Sequence, residues 1–518
     1  MYSFLKLYLY PLSLLLIIGL FYWSFGYDLE RTDSVKLIGL ATALFALSYQ
    51  VLSITTAHFT SKGNTLIFRM LLVAGVIYRI LLFAGTPELS QDFYRYIWDG
   101  HLLIHQINPY IHLPKDIIVN VDQLVPNAAY LFEKMGELSQ KHYSNYPPIS
   151  QYIYGLAAYV GGDSIPKSIL VFKVIVLLAD LFIVGLSSRI LAFLGQPQWK
   201  VFYYFLNPLV IVELSGNLHL EGVMIAFFLG GIWALIKLQN HIKYQLEQIQ
   251  GVAATGPYKT KQTHYQKKWL FLSGCLIALS IMTKLIPILF LPFLLLPLGI
   301  RKTIILGGWI GLCAGIFWGP LLEDGFWSSY LETIGLWFNN FEFNASIYNL
   351  VKSIAMENGH SAYRSILTYG KILPFLIIGT ALLVFFWQWR QMVHLQNTPH
   401  RAISVRLKNL VHPYFKGFPR VLEISINSML FMFTGHLLVA TTVHPWYLSF
   451  GVALAIFTRL KYAYLWSGTV FLSYITYSDP KFKENLWVIA IEYVVVFGFL
   501  FYEIVKLKHL KSESVKNV

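Results

Sequence analysis

Apolar runs of spanning length alternate with short polar stretches along almost the whole chain. A hydrocarbon crossing needs about 20 apolar residues. Runs of that kind cover 7–26, 36–57, 66–84, 167–192, 303–320, 366–387, 461–478 and 486–505. Three more regions are too long for one crossing and carry a polar break. Ser215 to Glu221 interrupts 201–238, Thr283-Lys284-Leu285-Ile286-Pro287 interrupts 269–298, and Thr442-Val443-His444-Pro445-Trp446 interrupts 424–457. The pattern predicts an all-α polytopic membrane protein in which broken spans meet as short helices. Irregular backbone at that depth has to be sheltered by protein or by a water-filled cavity.

Charge sets the orientation of these crossings. The stretch 239–268 carries Lys243, Lys259, Lys261, Lys267 and Lys268 against Glu247, and 388–423 carries Arg390, Arg401, Arg406, Lys408, Lys416 and Arg420 against Glu423. Positive loops stay cytoplasmic, which makes 269–298 leave and return with its corner on the outer side. The same logic gives about 14 crossings or half-crossings with both termini cytoplasmic, in keeping with the tail cations Lys506, Lys508, Lys511 and Lys516. The run from Leu7 to Phe25 follows Lys6 with no small-residue cleavage site behind it, so it reads as a retained first anchor. Loop 85–166, loop 321–365 and the breaks at Asn217–Glu221, Lys284 and His444 all fall on the non-cytoplasmic face. Loop 85–166 is also acidic, with Glu88, Asp92, Asp99, Asp116, Asp122, Glu133, Glu137 and Asp163 against four cations. The expected organisation is an N-terminal helical hairpin over 1–60, a transmembrane core over 61–480 that includes both outer loops, and a last span with a basic tail over 481–518.

Composition agrees and removes alternatives. Hydrophobic residues make up 56% and charged residues 13% of the 518. The net charge of +14 sits in short inter-span stretches, so nucleic acid is not an expected partner and the bilayer is. Cys275 and Cys313 lie inside apolar segments without CxxC or His spacing, which supplies neither a disulfide framework nor a zinc site. Glycine-rich phosphate loops, GxGxxG after a strand and HExxH are all missing from the sequence. An enzyme of this kind takes its activated donor from the membrane and not from cytoplasmic nucleotides.

The densest chemistry runs from Thr86 to Tyr110. As a helix, Asp92 to Gln106 puts Asp92, Arg95 and Asp99 on one side, and Tyr94, Trp98, His101 and His105 on a second stripe. Such a helix lies flat at the interface with one polar face, ended by Asn108-Pro109-Tyr110. The acids are then either catalytic carboxylates or members of a structural Asp-Arg-Asp triplet. Asn217, His219 and Glu221 are either functional groups at costly depth or a capping device between two helices. Lys284 either holds a phosphate or snorkels to headgroups. His444-Pro445-Trp446-Tyr447 is either a sugar-stacking turn or a proline turn with interfacial aromatics.

Taken in order, Gln91-Asp92-Phe93-Tyr94-Arg95-Tyr96-Ile97-Trp98-Asp99-Gly100 with Asn108-Pro109-Tyr110, Tyr146-Pro147-Pro148, Asn207-Pro208 with Gly216-Asn217-Leu218-His219, Lys284-Leu285-Ile286-Pro287, Phe343-Asn344-Ala345-Ser346 and His444-Pro445-Trp446-Tyr447 resemble the bacterial polyprenol-phosphate-mannose-dependent mannosyltransferases of the GT-C superfamily. The likeness covers about residues 66 to 480, although here a helical hairpin precedes the acidic loop. It implies a GT-C-like helical bundle in a bacterial cytoplasmic membrane, with the active site on the outer face. It also implies an inverting transfer of a hexose, mannose by the likeness, from a polyprenyl-phosphate donor to a glycan, lipid or protein acceptor. Carried onto this chain, Asp92 is the foremost general base, Asp99 the second and Glu88 the third. Arg95, Lys284, His219 and His444 are left to neutralise the leaving phosphate, and Tyr94, Trp98, Trp446 and Tyr447 to stack on sugar; Asn217 and Glu221 complete the substrate-binding set. No cofactor is required, while a divalent metal on Asp92 and Glu221 stays open. A transporter or flippase of a lipid-linked or anionic substrate is the rival reading.

Overall fold

The computed structural model describes residues 8–27, 29–56, 65–121, 123–249, 258–339, 341–395 and 417–516. Arg401, Arg406, Lys408, Lys416 and Asp122, used above for orientation and charge, lie outside them, as do the side chains of Lys243, Glu247, Lys259, Lys261, Lys511 and Lys516. The described residues are mostly helical, with one isolated bridge pairing Phe343 with Thr442. The helices that frame the site are α1 (Tyr10–Tyr27), α2 (Ser34–Thr56), α3 (Thr65–Leu81), α4 (Asp92–Ile104), α5 (Pro148–Gly161), α6 (Ile165–Phe193), α7 (Glu221–Ile249), α8 (Tyr258–Thr283), α9 (Ile300–Trp318), α10 (Ala362–Leu395), α11 (Phe418–Val439) and, last, α12 (Leu486–Lys516). Among the described residues eight helices are long and apolar enough to cross a membrane, and shorter apolar helices cover Ile286–Leu298 and Pro445–Ala455. The chain is an all-α, multi-pass membrane protein.

Each of the three long regions breaks where its polar residues fall. In the first, Asn207 precedes Pro208 and its Oδ1 caps the backbone N–H of Leu209 at 2.9 Å, since the residue before a proline avoids the helical region. A π-helix over Val210–Gly216 follows, then Leu218 at φ 64° before α7 starts at Glu221. A buried leucine in the left-handed region is strained, and such strain gathers at functional sites. In the second, α8 stops at Thr283, whose carbonyl accepts from Ser150 Oγ of α5 at 2.7 Å. Pro287 then opens the short helix beyond Lys284. In the third, α11 ends at Val439. Strand-like hydrogen bonds from Phe343 N–H to Thr441 O (3.0 Å) and from Val443 N–H to Phe343 O (2.8 Å) pin the second outer loop to the break.

The N-terminal hairpin shares the main hydrophobic core with the rest of the bundle. Tyr22 lies 4.9 Å, ring to ring, from Tyr78, and the Tyr78 hydroxyl donates to Leu15 O at 2.8 Å. A buried ion pair joins α3 to α6, Arg79 to Asp180 at 2.7 Å, with Tyr204 donating to the same carboxylate at 2.9 Å. Cys275 and Cys313 are free thiols with Sγ atoms 3.1 Å apart across α8 and α9.

Helix α4 does not carry a wet face. Phe93 and every position from Arg95 to Leu102 are buried, because α5 and the loop segments Ala128–Lys134 and Gly136–Gln140 close over it. The amphipathic pattern marks the helix but not the cover laid on its polar side. Tyr96 of α4 stacks on Tyr154 of α5 with centroids 4.4 Å apart and planes at 7°. At Gly100 the two backbones approach so closely that an added Cβ would overlap the Tyr154 carbonyl. Gly100→Ala is expected to force α4 away from α5 and cost about 1–3 kcal/mol, read as a lowered Tm of the purified protein; an unchanged Tm would show that this contact is slack.

Candidate active site

One end of the bundle holds a cavity of about 410 Å³. Its walls come from all parts of the chain: Arg31 from the α1–α2 turn, Asp92 and Arg95 from α4, His444 and Trp446 from the third break, and Glu484 from just before α12. Further wall is supplied by Tyr146, Phe343 and Tyr477.

Asp92 stands at the first residue of α4, half-buried with its carboxylate on the cavity wall. The hydroxyls of Tyr96 and Tyr146 donate to its Oδ2 at 3.5 Å each, long contacts that leave most of its accepting capacity unused. Burial pushes this carboxyl above the ordinary carboxylate range. The positive charges of Lys284 and Arg31 and the two phenols pull it back only in part. A carboxylate so placed is a stronger proton acceptor than one in water, with a free lone pair toward the cavity.

Asp99 is differently placed. Its Oδ1 takes Arg95 Nε at 2.6 Å and its Oδ2 takes Gln151 Nε2 at 3.1 Å, fully buried and away from the cavity lining. The expected Asp-Arg-Asp triplet is thus a pair, Arg95 with Asp99. Arg95 Nη1 reaches the carbonyls of Ser139 (2.6 Å) and His142 (2.9 Å), holding the outer loop over the site, while its buried Nη2 has no partner. Glu88 lies apart from this cavity, on the rim of two others nearer α1.

Of the remaining motif residues Tyr146, Phe343, His444 and Trp446 line the cavity, while Asn217, His219, Glu221, Lys284 and Tyr447 lie outside its lining. His219, Trp446, His444 and Phe343 make a continuous ring stack. Centroid separations are 3.8 Å, 4.3 Å and 5.1 Å in turn, and the His219–Trp446 and Trp446–His444 planes lie within 16° and 8° of parallel. Burial, followed by the charges of Lys284 and Arg31, lowers the His444 pKa to about 3. His444 is therefore neutral at physiological pH and offers hydrogen bonds, not the cationic charge that sequence reasoning assigned to it. Its buried Nδ1 and both ring nitrogens of His219 lack hydrogen-bond partners. Tyr447 sits edge-on to His444 at 5.4 Å.

Lys284 pairs with Glu221, so it does not stand alone at the corner, and its charge is felt by both Asp92 and His444. Glu221 Oε2 is left without a partner. Asn217 is spent within the fold: it accepts from Leu89 N–H at 3.1 Å and donates to Val212 O at 3.1 Å and to Glu213 Oε2 at 3.4 Å. Among the described residues no group of three or more His, Cys, Asp or Glu side chains is arranged to hold a metal ion, and one oxygen of Glu221 is committed to Lys284. Asp92 and Glu221 are therefore not part of such a group.

Sequence reasoning missed Arg31. Its guanidinium lies 3.4 Å over the ring of Tyr477, on the cavity wall. The available signal was a single cation among Asp28, Glu30 and Asp33 in a turn on the same face as the acidic loop. Glu484 was missed as well. It accepts from the backbone N–H of Asn344, and from Asn349 Nδ2 at 3.4 Å.

These features define a multi-pass membrane protein with a cavity at one end of its helices, lined by the carboxylates of Asp92, Glu342 and Glu484, the guanidinium groups of Arg31 and Arg95, and part of a stack of aromatic rings. The family model described as Alpha-(1->6)-mannopyranosyltransferase, N-terminal domain, matches residues 23–299, and the chain belongs to this family. The ordered motifs and this match point the same way. Similar curated proteins are Alpha-(1->6)-mannopyranosyltransferase A of Mycobacterium tuberculosis (strain ATCC 25618 / H37Rv), 23% identical over 42% of this chain and 39% of that protein, and Alpha-(1->6)-mannopyranosyltransferase B of Corynebacterium glutamicum, 24% identical over 28% of this chain and 23% of that protein. The aligned parts thus span well under half the length of either relative. No solved structure matches the chain.

Proposed function

We propose that the protein is a membrane mannosyltransferase that moves mannose from a polyprenyl-phosphate donor to an acceptor hydroxyl, with inversion, in the cavity at Asp92 on the non-cytoplasmic face. The observation that carries this reading is the shared electrostatic environment of Asp92, Lys284 and Arg31 beside the His219–Trp446–His444 stack. A sugar hydroxyl becomes a competent nucleophile when a carboxylate takes its proton. Asp92 is the base. The acceptor oxygen attacks the anomeric carbon, the bond from that carbon to the phosphate oxygen breaks, and the phosphate leaves with the bonding pair. One displacement inverts the centre.

Cations around the leaving group stabilise the charge that develops on it. Lys284, Arg31 and the partnerless Nη2 of Arg95 fill this role, while neutral His444 and His219 donate or accept hydrogen bonds. Both faces of Trp446 are taken by His219 and His444, so the sugar packs against the edge of the stack where Trp446, His444 and Phe343 line the cavity. The outward orientation rests on the basic loops read from the sequence. Membership of a mannosyltransferase family favours this reading over transport.

The test is purified protein with polyprenyl-phosphate-mannose and an acceptor extract, following release of polyprenyl phosphate. Because the Asp92 pKa is raised, its base form is lost on acidification earlier than an ordinary aspartate's. The acid limb of kcat/KM is expected above the usual carboxylate range near pH ~4. Full kcat/KM held down to pH ~4 would remove Asp92 from the role.

A further inference from the structure

At the other end of the bundle lies a second cleft, of about 590 Å³, that the proposed chemistry does not use. It is bounded by the start of α11, the end of α10, the turn after residue 456 and the last turns of α12. Three helices fix its position relative to the active site. Helix α11 carries Arg420 in its first turn and ends just before His444; α12 begins just after Glu484 and bears Lys508 near its end; α10 reaches the cleft with Trp387 and Gln391 at its C-terminal part. The 22 residues of α11 rise about 33 Å at 1.5 Å each, the thickness of a bilayer core. The cleft therefore lies at the opposite membrane surface.

Its make-up is two-sided. Arg420, Arg459 and Lys508 converge on it from three separate elements, while Trp387, Phe431 and Leu507 give it an apolar floor. The one lining carboxylate, Glu423, is salt-bridged to Arg420. Among the described residues Arg459 and Lys508 have no ion-pair partner, and both are exposed. The nearby carboxylate of Glu503 is taken up by the backbone N–H groups of Lys461 and Tyr462, at 2.9 Å and 3.0 Å. Beside the cleft, toward the middle of the spans, Leu382, Leu383 and Phe386 on α10 and Phe501 on α12 are exposed, a surface made for acyl chains.

We propose that this cleft binds one anionic glycerophospholipid from the leaflet opposite the active site, its phosphate between Arg459 and Lys508 and its chains along α10 and α12. Two uncompensated cations above an apolar floor at a membrane surface complement a phosphate joined to hydrocarbon. A zwitterionic headgroup would bring its own cation against them, and free phosphate would leave the floor wet.

The experiment is native mass spectrometry and thermal unfolding of the full chain with phosphatidylglycerol, phosphatidylcholine or inorganic phosphate. Expected are a retained phosphatidylglycerol adduct and a raised Tm, with little effect of the other two. Arg459→Glu with Lys508→Glu should weaken phosphatidylglycerol binding by about thirtyfold or more, at about 1 kcal/mol per cation. Arg459→Lys with Lys508→Arg should keep it, which separates loss of the site from loss of the fold. Equal retention of phosphatidylcholine, stabilisation by phosphate alone, or undiminished binding in the double Glu variant would each overturn the proposal.

Discussion

Asp92→Asn is expected to lower turnover by about 10²- to 10⁴-fold, the usual contribution of a positioned base, while donor binding and Tm stay close to those of the parent. The substitution is nearly isosteric, and an amide oxygen still accepts from Tyr96 and Tyr146. Folding is therefore no explanation for the loss. Asp99→Asn makes the contrast. It removes the charge from a fully buried pair with Arg95, so its effect should appear mainly as lost stability through a loosened outer loop. The two variants are distinguished by measuring polyprenyl phosphate release beside thermal unfolding. Normal turnover in Asp92→Asn would refute the assignment.

Lys284→Met should damage both stability and chemistry, for separable reasons. Glu221 is fully buried and Lys284 is its ion-pair partner. Breaking a buried pair from one side leaves an uncompensated charge and costs about 3–5 kcal/mol. Removing a cation from the leaving phosphate is expected to cost about 10²- to 10³-fold in kcat. The double variant Lys284→Met with Glu221→Gln tells them apart, since it neutralises the orphaned carboxylate. Its Tm should recover most of the loss while kcat stays low. Recovery of kcat along with Tm would show that Lys284 serves only to hold Glu221.

Much of this architecture was legible because the polar breaks coincide with local instructions that no packing overrides. Asn207-Pro208, Lys284 before Pro287 and His444-Pro445 each combine a backbone that cannot continue as helix with side chains that avoid hydrocarbon. The helix starting at Asp92 was readable from its spacing. Which of its acids is free was not, because Asp92 and Asp99 both lie within one turn or so of Arg95. Gln151, fifty-two positions beyond Asp99, decides the matter by occupying one and leaving the other. Arg31 was hidden for a similar reason: its role arises from Tyr477 beneath it, and no local pattern joins two residues so far apart. The pattern assigned the breaks carrying His219 and His444 to one face, but the charge of these rings depends on burial and on neighbouring cations, which spacing does not express.

The candidate cavity takes its walls from residues as early as Arg31 and as late as Glu484. During synthesis the pocket thus stays unfinished until nearly every span has been inserted. The family-matched stretch 23–299 brings Asp92 and Lys284, whereas Trp446 and Phe343 arrive afterwards. A chain released early would hold the proposed base without the far side of its pocket, so co-expressed halves should regain turnover only when they reassemble.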